Sequence, residues 1–483
     1  MDGFVILDGA ARGKAAAGGL LDCGVLKADV LGIYQQMLPH EVLDQIRQQE
    51  NIREYTRVYS SSVVMWLMIG QRLHSNGTLE TAVQELLGGL PESFWPNPCK
   101  RVEMWRQDGE WKPSSYTGAY NTARQELSLK LVEQSSDRIF PQLTEHIAGC
   151  LPGVNRRAFF FDGTTVRLPH TEALREAYPP TANQHGESHW PLFRMLVAHD
   201  AHTGLAMRPE YGPVNGSEAV SEQGLLETLV ERLPPAAVVI GDANFGVFSV
   251  AWAAIQCRHP VLLRLTKARA QRLAGTEPLR DGIDRRIAWK PSREDRQSHP
   301  QLPVDACVQG RLIVSKVQPS DGSEPILLAL FTTLDDDQNQ LIALYGRRWD
   351  IETDLRSLKQ TLRLEQLTCT TTEMVAKELV LAMIAYNLVR AVICLAAQKV
   401  GIAPRRYSFT KVRNLIQTFA HRIANAKNED ETQKHVDTLM YYVEQAKFPK
   451  RKTKRRSYPR AVWPKPKSFP ARHNDPVVLA QKA

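Results

Sequence analysis

The chain has 483 residues, enough for two or three domains with ample core, and its apolar and charged content is ordinary for a soluble globular protein. A net charge of +9 favours a polyanionic partner. Seven scattered cysteines with no C-x-x-C pair argue against a disulfide framework or a zinc site, and a reducing cytoplasm is the expected setting. The first residues lack a basic start followed by an apolar run, so no secretory signal is read there. From Pro39 to about His146 the pattern is helical. His40–Gln49 and the strongly apolar Ser60–Leu73 read as helices, as does Thr78–Leu87, with Thr81 and Gln84 at capping-box spacing. A Gly/Pro-rich break spans Gly88–Pro98. Ser114–Ile147 is helical with an interruption expected at Pro141. Its first part carries Tyr116, Tyr120, Asn121 and Arg124, which either contact phosphates and base edges or form part of a helical cap on the domain that follows.

At Asn155 the texture changes. Arg157–Asp162 (RAFFFD), Phe193–Ala198 and Ala206–Tyr211 read as three strands. An amphipathic helix over Ser217–Leu233 follows, then the continuous apolar strand Ala236–Asp242 (AAVVIGD). A helix over Phe245–Cys257 and a fifth strand over Pro260–Leu265 complete the order of an RNase H-like α/β fold, a mixed sheet with flanking helices. Residues 268–335 turn rich in Arg, Pro, Gly and Ser, with strand-like pieces at Ile287–Trp289, Ala306–Val314 and Ile326–Thr332; they read as a β-rich insertion. Helices are expected again over Thr372–Val400 and Thr410–Ala446. The apolar run Leu379–Ala397 is near membrane-spanning length, but it carries Asn387 and Arg390, so a buried core helix is expected and no membrane. Lys447–Arg472 is densely basic without an acid and reads as an arm on backbone phosphates, or as a solubilising tail. The expected division is a helical region over 1–150, an α/β domain over 151–372, helices over 373–446 and a basic tail over 447–483.

The most informative stretch is Leu341–Leu364, LIALYGRRWDIETDLRSLKQTLRL, which has no proline and one glycine and reads as a single helix. At about 100° per residue, Arg348, Glu352 and Lys359 fall within roughly 60° of Tyr345. Leu344, Ile351, Leu355, Leu358 and Leu362 form an adjoining apolar stripe, and Asp350 and Asp354 point away from the polar one. Such an edge can hold a metal through Glu352 and phosphates through Arg348 and Lys359; as an isolated helix it would equally be a solvated face with an i,i+4 pair.

The spacing Tyr-x2-Arg-x3-Glu-x6-Lys at Tyr345, Arg348, Glu352 and Lys359, with Trp349 directly after the arginine, resembles the YREK signature of insertion-sequence DDE transposases. The resemblance implies two upstream aspartates at strand ends, and Asp162 and Asp242 stand in those places. Taken singly, each is a common Asx-turn residue. Together with Glu352 they form a carboxylate set that repels itself unless cations neutralise it, and hard oxygen ligands select Mg²⁺ or Mn²⁺. Two ions about 3.5–4 Å apart suit in-line displacement at phosphorus, with Asp162 shared and Asp242 and Glu352 holding one each. The resemblance implies further that water frees a 3′-hydroxyl at the element's ends and that this hydroxyl joins target DNA. It also implies that Tyr345, Arg348 and Lys359 hold phosphates, that the N-terminal helices bind transposon ends, and that a homodimer assembles on double-stranded DNA. In the family that the sequence resembles some members flip a base, and the resemblance implies that Trp349 occupies or fills the stack there; the alternative is a packed helix-face side chain. Arg264 and Lys267 either touch DNA or are surface charges. His185, His189, His199 and His202 fit no standard zinc spacing. Two other functions stay open: a metal-dependent nuclease without strand transfer, and a non-catalytic DNA-binding descendant of a transposase.

Overall fold

The computed structural model describes residues 26–448 apart from 55–57, 75–76, 91–93, 96–98, 108–115, 149–155, 184–185 and 319–323. The basic segment from 449 onward lies outside the described residues. Its centre is one eight-stranded mixed sheet: β1 (Ala158–Arg167), β2 (Leu192–Asp200), β3 (Glu210–Pro213), β4 (Val238–Gly241), β5 (Val261–Arg264), β6 (Ile283–Trp289), β7 (Val308–Val317) and β8 (Ile326–Thr332). The spatial order is β3-β2-β1-β4-β5-β8-β7-β6. β1, β2 and β3 are antiparallel neighbours, whereas β4 lies parallel to both β1 and β5. The first five strands therefore have the RNase H-like order. The runs Phe159–Phe161, Val238–Ile240 and Val261–Leu263 are fully buried because helices cover both faces.

Three details depart from the reading of the sequence. β1 does not stop at Asp162 but continues to Arg167 against β2, while its pairing with β4 ends at Phe160 opposite Ile240. Asp162 thus sits inside a strand, just past the point where the parallel pair ends. The third strand is Glu210–Pro213, downstream of the expected Ala206–Tyr211, and Ala206 contributes only a single bridge to His199. The insertion is not a separate β unit: β8 pairs antiparallel with β5, so its three strands extend the same sheet.

Helices before and after the sheet pack on one another. The helix Leu129–Ala148 runs unbroken through Pro141, because packing against Thr372–Val400 outweighs the one lost backbone bond. Thr78, not Thr81, caps the helix Leu79–Gly89, accepting from the Thr81 amide at 3.1 Å. Thr372–Val400 is long and apolar enough to cross a membrane by those measures alone, yet it is the buried central helix of the fold. Its Asn387 side chain brackets the Ala206 backbone, accepting at 2.8 Å and donating at 2.7 Å. Arg72 and Arg124 both donate to Glu378 on this helix, and the Lys377 ammonium donates to the Gln125 carbonyl at 2.8 Å. Tyr120 is fully buried and donates to Gln71 at 2.8 Å. Tyr120 and Arg124 are therefore part of the helical cap, not a surface for reading bases. The expected C-terminal helix is split into Phe409–Ala424 and Glu429–Gln445.

Candidate active site

Asp162 and Asp242 share the edge of the sheet where β1 and β4 part. Asp162 accepts from the Gly163 amide at 3.0 Å. Asp242 closes an Asx turn, accepting from the Asn244 amide at 2.8 Å, and its carbonyl accepts from Phe245 and Gly246 at 3.1 and 3.0 Å. The turn role and the neighbourhood of Asp162 therefore coexist. Burial pushes the Asp162 carboxyl up to about 6, Arg348 opposes the rise, and the charges of Asp242 and Glu222 add to it. The rise is chiefly the cost of burying the charge, which Arg348 offsets only in part.

The stretch bearing the other candidates is not one helix. It consists of Gln338–Gly346, a 3₁₀ turn over Arg347–Trp349, the short helix Asp350–Arg356, and a π-helical turn over Ser357–Thr361. Propensity does not register these breaks because tertiary contacts set them; Arg347, at the tight turn, donates to the Ala201 carbonyl at 2.8 Å. Tyr345 is buried, with the Arg264 side chain beside its hydroxyl. Burial raises its ionisation, against the pull of Arg348 and Arg264 and with the push of Asp242, so it lies in the field of Asp242. Arg348 is buried and its guanidinium lies 3.9 Å from the carboxylate of Glu352, which is 45% exposed. Lys359, on the π turn, pairs with Glu365 at 3.1 Å. The side chain of Trp349 lies outside what is described. The structure thus brings Asp162, Asp242, Tyr345 and Arg348 into one electrostatic neighbourhood. Glu352 reaches it through Arg348, and Lys359 is engaged elsewhere.

Residues 154–388 match the family described as Transposase DDE domain, a span from just before β1 to inside the central helix. The chain is also 22% identical, over 84% of its length and 86% of the relative's, to Transposase InsG for insertion sequence element IS4 of Escherichia coli strain K12. The span that holds both aspartates and the Tyr345–Lys359 stretch is that of a DDE transposase domain, and the chain as a whole is similar to an insertion-sequence transposase. A solved piggyBac transposase synaptic complex with hairpin DNA aligns over 87% of each chain at 10% identity and a TM-score of 0.40, a likeness too distant to bear on this site.

DDE domains generally use divalent metal ions, and the residues of this transposase fit one in part. The acids gathered around Asp162, which Arg348 offsets only in part, and the buried Tyr345 hydroxyl suit a hard cation and a phosphate. Among the described residues, however, no three His, Cys, Asp or Glu side chains are gathered as a ligand set. Glu352 is the one that stands apart, on an exposed side chain. Of the four histidines, His199 is fully buried, His189 stacks on His170, and His185 lies outside the described residues.

Two features of the transposase were not anticipated. Glu222, at the start of the helix Glu222–Leu229, accepts from the Asn244 side chain at 2.6 Å and lies so close to Gly163 that a Cβ there would be 2.3 Å from its carboxylate. Nothing in its local sequence distinguishes it from an ordinary first-turn acid. The second is Asp354, which is fully buried and bound by Arg390 and by Arg405. Arg405 also donates to the carbonyls of Ala201 and Asp200, at 3.1 and 3.0 Å. Two residues beyond Glu352, Asp354 therefore ties the short acid-bearing helix to the end of β2 and to the central helix. Its signal was present: an acid on the side facing away from the polar stripe, between buried Ile351 and Leu355.

Proposed function

We propose that this transposase moves its element by a cut-and-paste route, cutting DNA at the element's ends and joining the freed ends to a target in one active site. The observation that supports it most directly is the aspartate pair at the parting of β1 and β4, inside the span that matches the DDE domain. Asp162, Asp242 and Glu352 would hold two Mg²⁺ or Mn²⁺ ions, which supply activation of the attacking oxygen and neutralisation of the leaving one. Arg348, between Asp162 and Glu352, restrains both carboxylates and presents donors to a phosphate. The Tyr345 hydroxyl is held beside Arg264, which can only donate to it, so its own hydrogen goes to a phosphate oxygen. Lys359 exchanges its contact with Glu365 for the DNA backbone. In the first step a water oxygen attacks phosphorus and the 3′-hydroxyl leaves. In the second, that hydroxyl attacks a target phosphodiester, so no protein nucleophile is consumed.

The reading extends to a homodimer holding both ends, to contacts of the N-terminal helices with the terminal repeats, and to the basic segment 447–472 lying along backbone phosphates. It also includes Trp349 at a flipped base and action on DNA in the cytoplasm. The test mixes purified protein, Mg²⁺, a labelled duplex carrying the element's own end, and a target plasmid, with Glu352→Ala in parallel. Joined products that vanish in the variant while DNA binding survives support the transposase and its metal site. Cleavage without joining favours the nuclease. Binding without chemistry in either protein, with Mn²⁺ and a paired-end substrate also tried, favours the non-catalytic descendant.

A further inference from the structure

β1 leaves β4 at Phe160 but stays paired to β2 as far as Arg167 opposite Leu192, with β3 alongside β2 from Phe193 to Leu196. A three-stranded ribbon therefore overhangs the aspartates. From Asp162 to Arg167 it advances about 17 Å at roughly 3.3 Å per residue. At its far end stands Trp190, 45% exposed. The indole is held without being covered. Its edge meets His189 at 4.8 Å and 89°, and His189 stacks on His170 at 4.1 Å and 7°. Arg175 fastens this group, 3.0 Å from His170 Nε2 and 3.5 Å from the His189 carbonyl, with its other arm on Glu187. Buried Pro191 confines the backbone of Trp190 to extended conformations. Leaving a tryptophan this exposed forgoes its burial energy, and fastening it in advance removes the ordering cost of a later contact.

We propose that Trp190 is a stacking platform for an unpaired base of the DNA strand that leaves the acids, about five nucleotides from the scissile phosphate at roughly 3.4 Å per nucleotide. This rests on the transposase reading for the identity of the DNA. Stacking, not charge, carries the contact, because Arg175 is already engaged by Glu187. Every base has an aromatic face, so the platform is indifferent to sequence.

The test uses the full chain and two duplexes bearing the element's end, one fully paired and one with six unpaired nucleotides beyond the cleavage point. 2-Aminopurine is placed at each unpaired position in turn. Trp190→Ala is expected to weaken binding of the unpaired form about tenfold and leave the paired form unchanged, with Trp190→Phe retaining most of the affinity. The salt dependence should be the same in all three proteins. Fluorescence quenching should peak near the fifth nucleotide with the wild type and Trp190→Phe, and disappear with Trp190→Ala. Equal affinity of wild type and Trp190→Ala for both duplexes overturns the platform. So does an equal loss on both duplexes that Trp190→Phe shares, which would make Trp190 a packing residue of the ribbon. A wild type that cuts and joins while Trp190→Ala matches it on every readout defeats this inference alone; a wild type that does not bind the element's end defeats the transposase reading with it.

Discussion

Replacing Asp354 by asparagine should both unlatch and slow the enzyme. The side chain keeps its size but loses the charge that two guanidiniums share, and Arg390 and Arg405 are only 4% and 11% exposed. Breaking a buried pair from one side costs about 3–5 kcal/mol, because the partner charge is left without compensation. At roughly 2–4 °C per kcal/mol for a large domain, melting should fall by about 10 °C. Burial pushes the Asp354 carboxyl up, but Arg405, Arg390 and His199 together bring it below the ordinary range. A depressed carboxyl contributes stability that is fully present above its unfolded value and is lost as pH falls through the folded one. The difference between variant and wild type should therefore be constant from about pH 8 to 5 and shrink only in stronger acid. Below the lowered melting point, cleavage of an end duplex should show reduced kcat with KM unchanged, since Glu352 is misplaced while the DNA contacts survive. A variant melting within about 2 °C of the wild type, with unaltered kcat, would refute the idea that Asp354 sets the acid-bearing helix.

Asp162→Asn should abolish cleavage and stabilise the metal-free protein near pH 7 by about 1–2 kcal/mol, after discounting for its partial exposure. The wild-type carboxyl titrates at about 6, so its destabilising charge is present above that pH and relieved as pH falls through it toward the unfolded value. Calorimetric Mn²⁺ titration should correspondingly show affinity falling as pH drops below about 6; a flat profile would contradict the raised carboxyl. Gly246→Ala should lower both melting temperature and cleavage, because a Cβ there would lie 2.0 Å from the Arg264 carbonyl and force the Asp242 turn away from β5. Unchanged activity would mean that the turn yields freely. Tyr345→Phe should cost no more than about 1 kcal/mol of stability, the net worth of one hydrogen bond to Arg264, while slowing cleavage of end duplexes by about tenfold. A larger loss of stability instead would assign the hydroxyl a structural role.

Long periodic and apolar segments were legible in the sequence. Thr372–Val400 was bounded as observed, and RAFFFD and AAVVIGD marked the two strands whose acids meet. The order of the first five strands followed from these. What escaped depended on contacts between distant residues. No local rule says that β1 outlasts its parallel partner, because the pairing with β2 that extends it lies thirty residues on. The segmentation of the Tyr345–Lys359 stretch escaped for the same reason: Ala201, Arg390 and Arg405 determine it. For Tyr120 and Arg124 the sequence left phosphate contact and helical cap open because Gln71 and Glu378, their partners, are far away in sequence.

The carboxylate of Glu378 has a temporal meaning as well as a spatial one. Arg124 and Glu378 are separated by 254 positions, so at about 5–20 residues per second the N-terminal helices emerge from the ribosome some tens of seconds before the helix that completes their core. During that interval Arg72, Arg124 and the apolar faces beside them are unsatisfied, and the N-terminal helices wait on the central one. Chains stalled before residue 372 should accordingly be cut by protease within the first 150 residues, and chains stalled after 448 should resist. A copy that ends before the central helix is therefore an incomplete fold and not a shorter binding module.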